Sequence, residues 1–384
     1  MHLDFTINFC KKAKNYKLER RSDAEVLCVS VLNRTDVEDI ILGATFFGSG
    51  GGGSAEQGFE LLEKLKDVEI KLVDPEEMRS LECAVMVAGI GAPRVFRERG
   101  FGAEALKAFE LISKISFLGG KPIGYLMAGE LGGFNTMVPI YVAALKRIPF
   151  VDADGNGRAV PELGTTLYSI YNIPPHPLVL SNSKGDSVIA YFADPGDMEA
   201  AEAIARECSV LWGMLAAFST WIVTREQILN SLVPNAITKC LEIGRIFRDA
   251  ENFDEFSSRI PAKELFIGKI TKLETKTEGG FDFGKTTLEG EDGYEGKTME
   301  LYFKNENMLA KLDGEVIATV PDLICMVDVD ELKPLTNADT REGQTIAVFG
   351  IQAPEKWRCE EGFDCWRKIL GKLGYSGDYV SVGR

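Results

Sequence analysis

From residue 35 onward the apolar positions alternate between helical and strand periods. Val37, Ile40, Ile41 and Ala44 fall at helical spacing behind a Thr35-x-x-Glu38 capping signal. Ser54-x-x-Gln57 opens a second helix, with Leu61, Leu62 and Leu65 as its buried side. Runs at 70–73, 84–88 and 123–127, and the pair Phe150-Val151, read as strands. Between them, 103–115 and the set Val138, Tyr141, Val142 and Leu145 read as helices, with Pro139 tolerated in a first turn. Strands and helices alternating at short intervals predict an α/β fold with a mainly parallel, helix-covered sheet.

The middle of the chain differs. Lys184-Gly185-Asp186 marks a hairpin turn, followed by helices over 197–208 and 225–247. The second is capped by Thr224-x-x-Gln227 and predicted to kink at Pro234, and the apolar stretch 211–223 reads as a core helix. Beyond 260 the texture turns to β, with runs at 266–273, 286–288, 299–303, 316–320, 324–329 and 346–349 and a closing helix at 365–373. The expected organisation is an extension over 1–34 with a strand at 26–32, an α/β domain over 35–175, a hairpin and helical segment over 176–259 completing it, and a β-rich C-terminal domain over 260–384.

Composition narrows the partners. The 384 residues carry a net charge of −15 and a pI near 4.9, which argues against nucleic acid and against an anionic membrane surface. No apolar run approaches the ~20 residues of a bilayer span, and the N-terminus lacks the layout of a secretory signal. Eight cysteines without a C-x-x-C pair read as reduced thiols of a cytoplasmic protein. With two histidines, a three-histidine zinc site is excluded, and His176 in Pro174-Pro175-His176-Pro177 reads as a turn residue. A symmetric homodimer is the base expectation for a soluble metabolic protein of this size.

Candidate chemistry concentrates in three glycine-rich segments. Residues 151–162 place Asp152, Asp154, Asn156, Arg158 and Glu162 around Gly155, Gly157 and Pro161, at the end of a strand where α/β proteins bind ligands. Asp152, Asp154, Glu130 and Arg158 are the candidate catalytic set: one carboxylate kept ionised by the guanidinium, another raised by its acidic neighbours. Asp152, Asp154 and Glu162 or Glu130 could instead hold a divalent cation, magnesium, manganese or calcium. An EF-hand match at Asp152, Asp154, Asn156 and Gly157 fails at position 12, which is Leu163. The turn 48–54 offers backbone amides at a helix N-terminus, so Gly50, Gly51, Gly52, Gly53 and Ser54 are candidate anion or substrate contacts. It contains G-x-G-x-x-G, but a helical pattern precedes it where a dinucleotide fold needs a strand. Gly129-Glu130-Leu131-Gly132-Gly133-Phe134-Asn135 repeats the arrangement, with Asn135 either a substrate contact or, like Thr136, a helix N-cap. Asn156 and Glu162 complete the candidate binding set.

LGATFFGSGGGGS, GELGGFNTMVP and VDADGNGRAVPEL, in this order, resemble the S-methyl-thiohydantoin desulfurase-like family. The resemblance continues through GKITKLETKTEGGFDFG, LYFKNENMLAKLDGEVIATVPDLI, Arg341-x-Gly343-Gln344 and APEKW. It spans about residues 36–380, with Lys304 standing where the family favours Gln. It implies an α/β N-terminal and a β-rich C-terminal domain, and chemistry on cyclic ureides, hydantoins or thiohydantoins, linked to hydantoinase and oxoprolinase systems. The leading expectation is a hydrolase releasing methanethiol from an S-methyl thiohydantoin. The alternatives are a non-catalytic subunit that binds substrate for a hydantoinase- or oxoprolinase-like partner, and a nucleotide-binding protein using the polyglycine turn.

Overall fold

The computed structural model describes residues 17–21, 24–28, 31–91, 93–278 and 281–383. Two sheets dominate. Among the described residues the first has nine strands, and Ile70–Val73, Phe150–Asp154, Ile123–Ala128 and Cys83–Gly91 form its parallel centre. Antiparallel strands flank that centre: Val31–Leu32 on one side, then Leu215–Val223, Leu178–Ser181 and Ser187–Ala190 on the other. The second sheet is antiparallel throughout, ordered Glu315–Thr319, Glu306–Leu312, Thr298–Lys304, Phe281–Gly290, Lys263–Glu278, Thr345–Ile351, Leu323–Asp328 and Lys333–Leu335. Helices cover the first sheet, and the second is β-rich, as the alternation of patterns predicts.

Four local expectations are corrected. Residues 211–223 do not form a core helix: Met198–Leu211 is the helix, and Leu215–Val223 is a strand between Cys83–Gly91 and Leu178–Ser181. Both of its faces are buried, so its run of apolar residues has no period to tell it from a helix. The kinked helix over 225–247 is two helices, Arg225–Ser231 and Ala236–Asp249. Pro234 lies between them, in a bridge that pairs Val233 with Asp154 and Pro234 with Ala153. The first long helix, Arg34–Phe47, is capped by Asn33 with Asp36, not by Thr35 with Glu38. The strand expected at 26–32 is shared between two sheets: Ala24–Cys28 pairs with Lys17–Arg21 and Val31–Leu32 with the main sheet, while residues 29 and 30 lie outside the described residues.

Arg34–Phe47 joins the two layers. Val37, Ile40, Ile41 and Ala44 pack into the core of the first sheet, while Phe46 packs with Ile243, Phe247, Leu323 and Phe349 against the second. It crosses Ala236–Asp249 closely enough that a Cβ on Gly43 would lie 1.9 Å from the Cys240 carbonyl oxygen. Any side chain there would push the helices apart. The helix ends at Gly48, so the polyglycine turn emerges on the seam between the sheets.

Candidate functional site

The strand Phe150–Asp154 delivers its two aspartates to different tasks. Asp152 accepts from the Ile237 amide (2.9 Å), the Thr238 amide (3.0 Å) and the Thr238 hydroxyl (2.5 Å). Its carboxylate caps the helix Ala236–Asp249, whose own N-cap residue, Asn235, makes no side-chain cap bond. Asp154 is fully buried, and its Oδ1 accepts from the Asn156 (2.8 Å) and Gly157 amides. Its Oδ2 has no partner among the described residues. Burial pushes this carboxyl up to about 8, and nearby Glu130 adds to the rise.

Asn156 and Arg158 are spent on structure. Asn156 donates to the Gly129 carbonyl and accepts from the Leu167 amide at Oδ1, and its carbonyl accepts from the Trp357 indole. Arg158 is fully buried, donating to the carbonyls of Ala159, Pro321, Asp322 and Asn307, with Trp366 under its guanidinium. It staples the acid loop to the second sheet. Burial lowers its pKa to about 10. Its hydrogen-bond partners are carbonyls, so it is a buried brace that pairs with no carboxylate directly, while its charge lowers Glu130 and Glu306 from a distance.

Glu130 lies in the second glycine-rich segment. It is partly exposed at the end of the strand Ile123–Ala128, oriented by the Asn135 amide side chain (2.6 Å) and the Val160 amide (2.9 Å). Desolvation raises its pKa to about 7, opposed by these two donors, and Glu202 adds to the rise. Asn135 is not the N-cap, and neither is Thr136: the helix Gly133–Lys146 starts after Gly132, so both lie inside its first turn, and Asn135 faces Glu130.

The polyglycine turn meets both neighbours. The Gly53 carbonyl accepts from the Gly133 amide and the Gly52 carbonyl from the Asn135 amide. A Cβ on Gly52 (φ 72°) would lie 2.5 Å from the Leu131 carbonyl oxygen and 3.2 Å from Ala159 Cβ. Gly50 and Gly51 are buried and Gly52 and Gly53 half-buried. Ser54 caps the helix Ala55–Leu62 through Gln57, as its spacing predicts.

The second sheet supplies what the spacing of the acid loop does not reveal. Asn307 and Asn337 donate their backbone amides to the carbonyls of Ser49 and Gly50. Glu306, 3% exposed, lies against Gly51, where an added Cβ would come within 2.2 Å of its Oε1. Its Oε2 has no partner among the described residues. Burial pushes its carboxyl up to about 8, with Glu130 contributing and Arg158 opposing. Glu162 pairs with the buried Lys304, whose ammonium sits over the Phe281 ring at 3.9 Å. Burial, then the charge of Lys372, lowers the Lys304 pKa to about 8.

Glu130, Asp154 and Glu306 therefore form one electrostatic group under the glycine turn. Asp152 stands outside it, and Glu162 is held by Lys304. The proposed divalent set of Asp152, Asp154 and Glu162 is not brought together, because each carboxylate is directed to a different partner. Among the described residues no group of three His, Cys, Asp or Glu side chains is placed to hold a metal. His176 accepts at Nδ1 from the Phe192 amide beside Tyr191 and serves the turn. Cys83, Cys208, Cys240, Cys325, Cys359 and Cys365 are free thiols, and no described helix is long and apolar enough to cross a membrane. A concavity of about 370 Å³ between Pro261, Lys263, Gln352 and Val382 shares no residue with these loops and holds no titratable cluster.

The profile of the S-Me-THD-like N-terminal domain matches residues 35–191, and that of the C-terminal domain matches 196–382. The chain belongs to the S-Me-THD-like family. In this member the boundary between the two matched segments falls before Leu215–Val223, so a strand from the C-terminal segment completes the first sheet. The S-Me-THD-like chain is also similar to a structural-genomics crystal structure of a protein from Chromobacterium violaceum, with 26% identity and a TM-score of 0.80. That match covers 92% of this chain and 99% of the other. No curated protein matches the S-Me-THD-like chain.

Proposed function

We propose that this S-Me-THD-like protein is a hydrolase acting on a small cyclic ureide, with an S-methyl thiohydantoin as the fitting substrate. The observation that carries the reading is Glu130: a carboxyl oriented by two donors, partly open, and held near 7 beside two other raised carboxyls. A general base is most effective when its pKa lies near the working pH. Glu130 takes a proton from water as its oxygen bonds to the ring carbon that bears sulfur. The tetrahedral adduct collapses with cleavage of the C–S bond, and the protonated Glu130 returns the proton to the departing methanethiolate. Water and S-methyl thiohydantoin become hydantoin and methanethiol. Asp154 and Glu306, both pushed up by burial, carry their protons at neutral pH and keep the local charge low. This assigns to Glu130 the role that spacing gave to Asp152 or Asp154.

Methanethiol release by the purified protein, followed with a thiol reagent, tests the proposal. Glu130→Gln is expected to lower kcat by about 10²–10⁴-fold with an unchanged melting temperature. In the wild type, kcat/KM rises through a pH near 7, as the basic form of Glu130 appears. Tight hydantoin binding without turnover would favour the companion-subunit reading instead. A nucleotide at the polyglycine turn is disfavoured by Glu306, whose side chain fills the space at Gly51.

A further inference from the structure

We propose that the strand Ser187–Ala190, with Tyr191 beyond it, is a docking edge for a second copy of this chain, paired antiparallel across a twofold axis at Ile189. The strand ends the first sheet, and among the described residues its one strand partner is Leu178–Ser181. The Asn182 amide donates to the Asp186 carbonyl, and the Phe192 amide to His176 Nδ1, so the even-numbered positions turn their backbone groups inward. The register from Ser181↔Ser187 to Leu178↔Ala190 runs without a bulge, so Ser187, Ile189 and Tyr191 direct theirs outward. The side chains of these three are exposed as well, Ile189 by 43% and Tyr191 by 62%, while Val188, Ala190 and Phe192 pack on the core.

The other sheet ends are guarded against pairing. Lys333–Leu335 carries Lys333 and Pro334, and Val31–Leu32 is two residues long. Glu315–Thr319 begins on a charge and gives its Thr319 amide to the Val380 carbonyl. Charge, proline, a bulge or a covering segment keeps an edge from templating another chain. Residues 187–192 read Ser-Val-Ile-Ala-Tyr-Phe, with no charge and no proline.

Self-complementarity selects a second copy as the occupant. With the axis at Ile189, that residue faces its own copy, Ser187 faces Tyr191, and the exposed Lys184 faces the exposed Asp194. Small meets large and cation meets anion on both sides of the axis, as an isologous contact requires. Moving the axis to Ala190 sets Asp186 against Asp194. Moving it to Val188 leaves Tyr191 opposite Gly185 and removes the ion pair.

Sedimentation velocity of the full chain from about 1 to 200 μM, in about 0.15 M salt, tests the proposal; charges more than about 8 Å apart are then screened between two copies of net charge −15. A strand pair of this length covers less than the roughly 800 Å² per partner of a standard interface, so association in the micromolar range is expected. The expected species has twice the 42.2 kDa of one chain. Ile189→Lys sets two ammonium groups opposite each other and should weaken association at least about tenfold, with unchanged melting of the dilute protein at this exposed position. Mixing Lys184→Asp with Asp194→Lys should give tighter association than either variant alone, because opposite charges then face each other at both ends. A full chain that stays monomeric up to about 200 μM overturns the docking edge. A dimer that Ile189→Lys leaves intact also overturns it, and a mixture no tighter than its components overturns the axis at Ile189.

Discussion

Replacing Asp154 by Asn should remove most of a specific alkaline weakness. Asp154 is fully buried, binds two loop amides through Oδ1 and leaves Oδ2 unpartnered, and its carboxyl is pushed from 3.8 to about 8 by burial. The folded protein thus keeps this proton up to about pH 8, whereas the unfolded chain loses it near pH 4. A raised folded-state pKa stabilises fully below the unfolded value, and that stabilisation is lost as pH climbs through the folded one. The slope in between is about 1.4 kcal/mol per pH unit, so going from pH 6 to pH 9 costs the wild type on the order of 2–3 kcal/mol from this group. Asparagine has the same shape, keeps Oδ1 for Asn156 and Gly157, and places an amide where Oδ2 sits. Tyr168 Oη, unpartnered and in electrostatic contact with Asp154, is a neighbour for that new donor. For a chain of 384 residues the difference corresponds to about 3 °C in melting temperature. The assay is thermal or urea denaturation of both proteins at pH 6, 7, 8 and 9. Glu130 and Glu306 titrate in both proteins, so the widening gap between the curves reports Asp154. Parallel curves, or an Asn variant already several degrees less stable at pH 6, would show that Asp154 is ionised in the folded protein and refute the reasoning.

Two further substitutions separate brace from catalyst. Asp152→Ala removes three hydrogen bonds at the start of Ala236–Asp249 and should cost about 2–4 kcal/mol in urea denaturation, while kcat per folded molecule stays within about twofold. Loss of turnover at unchanged stability would return Asp152 to the catalytic set. Arg158→Met strips the donors from the carbonyls of Ala159, Pro321 and Asp322 and should destabilise by about 3–5 kcal/mol. Limited proteolysis should then cut near residues 158–163 first, and an unchanged digestion pattern would mean the seam does not depend on the guanidinium.

The parallel centre, the hairpin at Lys184–Asp186 and the β-rich second half were legible because local period and turn chemistry carry them. Leu215–Val223 was not, since a strand buried on both faces looks like a core helix. Pro234 reads as a kink only while its partner is unknown; paired beside Ala153, it marks a bridge between two helices. The same limit governs the site. Glycine spacing pointed to Glu130, Asn135 and the 48–54 turn, which do come together. The acid loop overstated Asp152 and Arg158, because a carboxylate that caps a distant helix and a guanidinium that braces a distant sheet look catalytic in a row of polar residues. Glu306 gave only one weak signal, a charged residue within the run Lys304-Asn305-Glu306-Asn307. Its importance comes from pairing across the seam, about 255 residues along the chain from Gly51.

That pairing makes the second sheet part of the proposed site. Glu130 owes its pKa first to burial, and the surface that lies over the glycine turn comes from Glu306, Asn307 and Asn337. The helix Arg34–Phe47 is packed on both sides, so the turn at its end cannot move toward either sheet without opening a core. Gly50 and Gly51 have no room for a side chain because the second sheet fills that space. The turn is therefore less an open cradle for an anion than the floor on which two layers meet. The environment of the proposed base, Glu130, is set by the fit of the two layers and by no single loop.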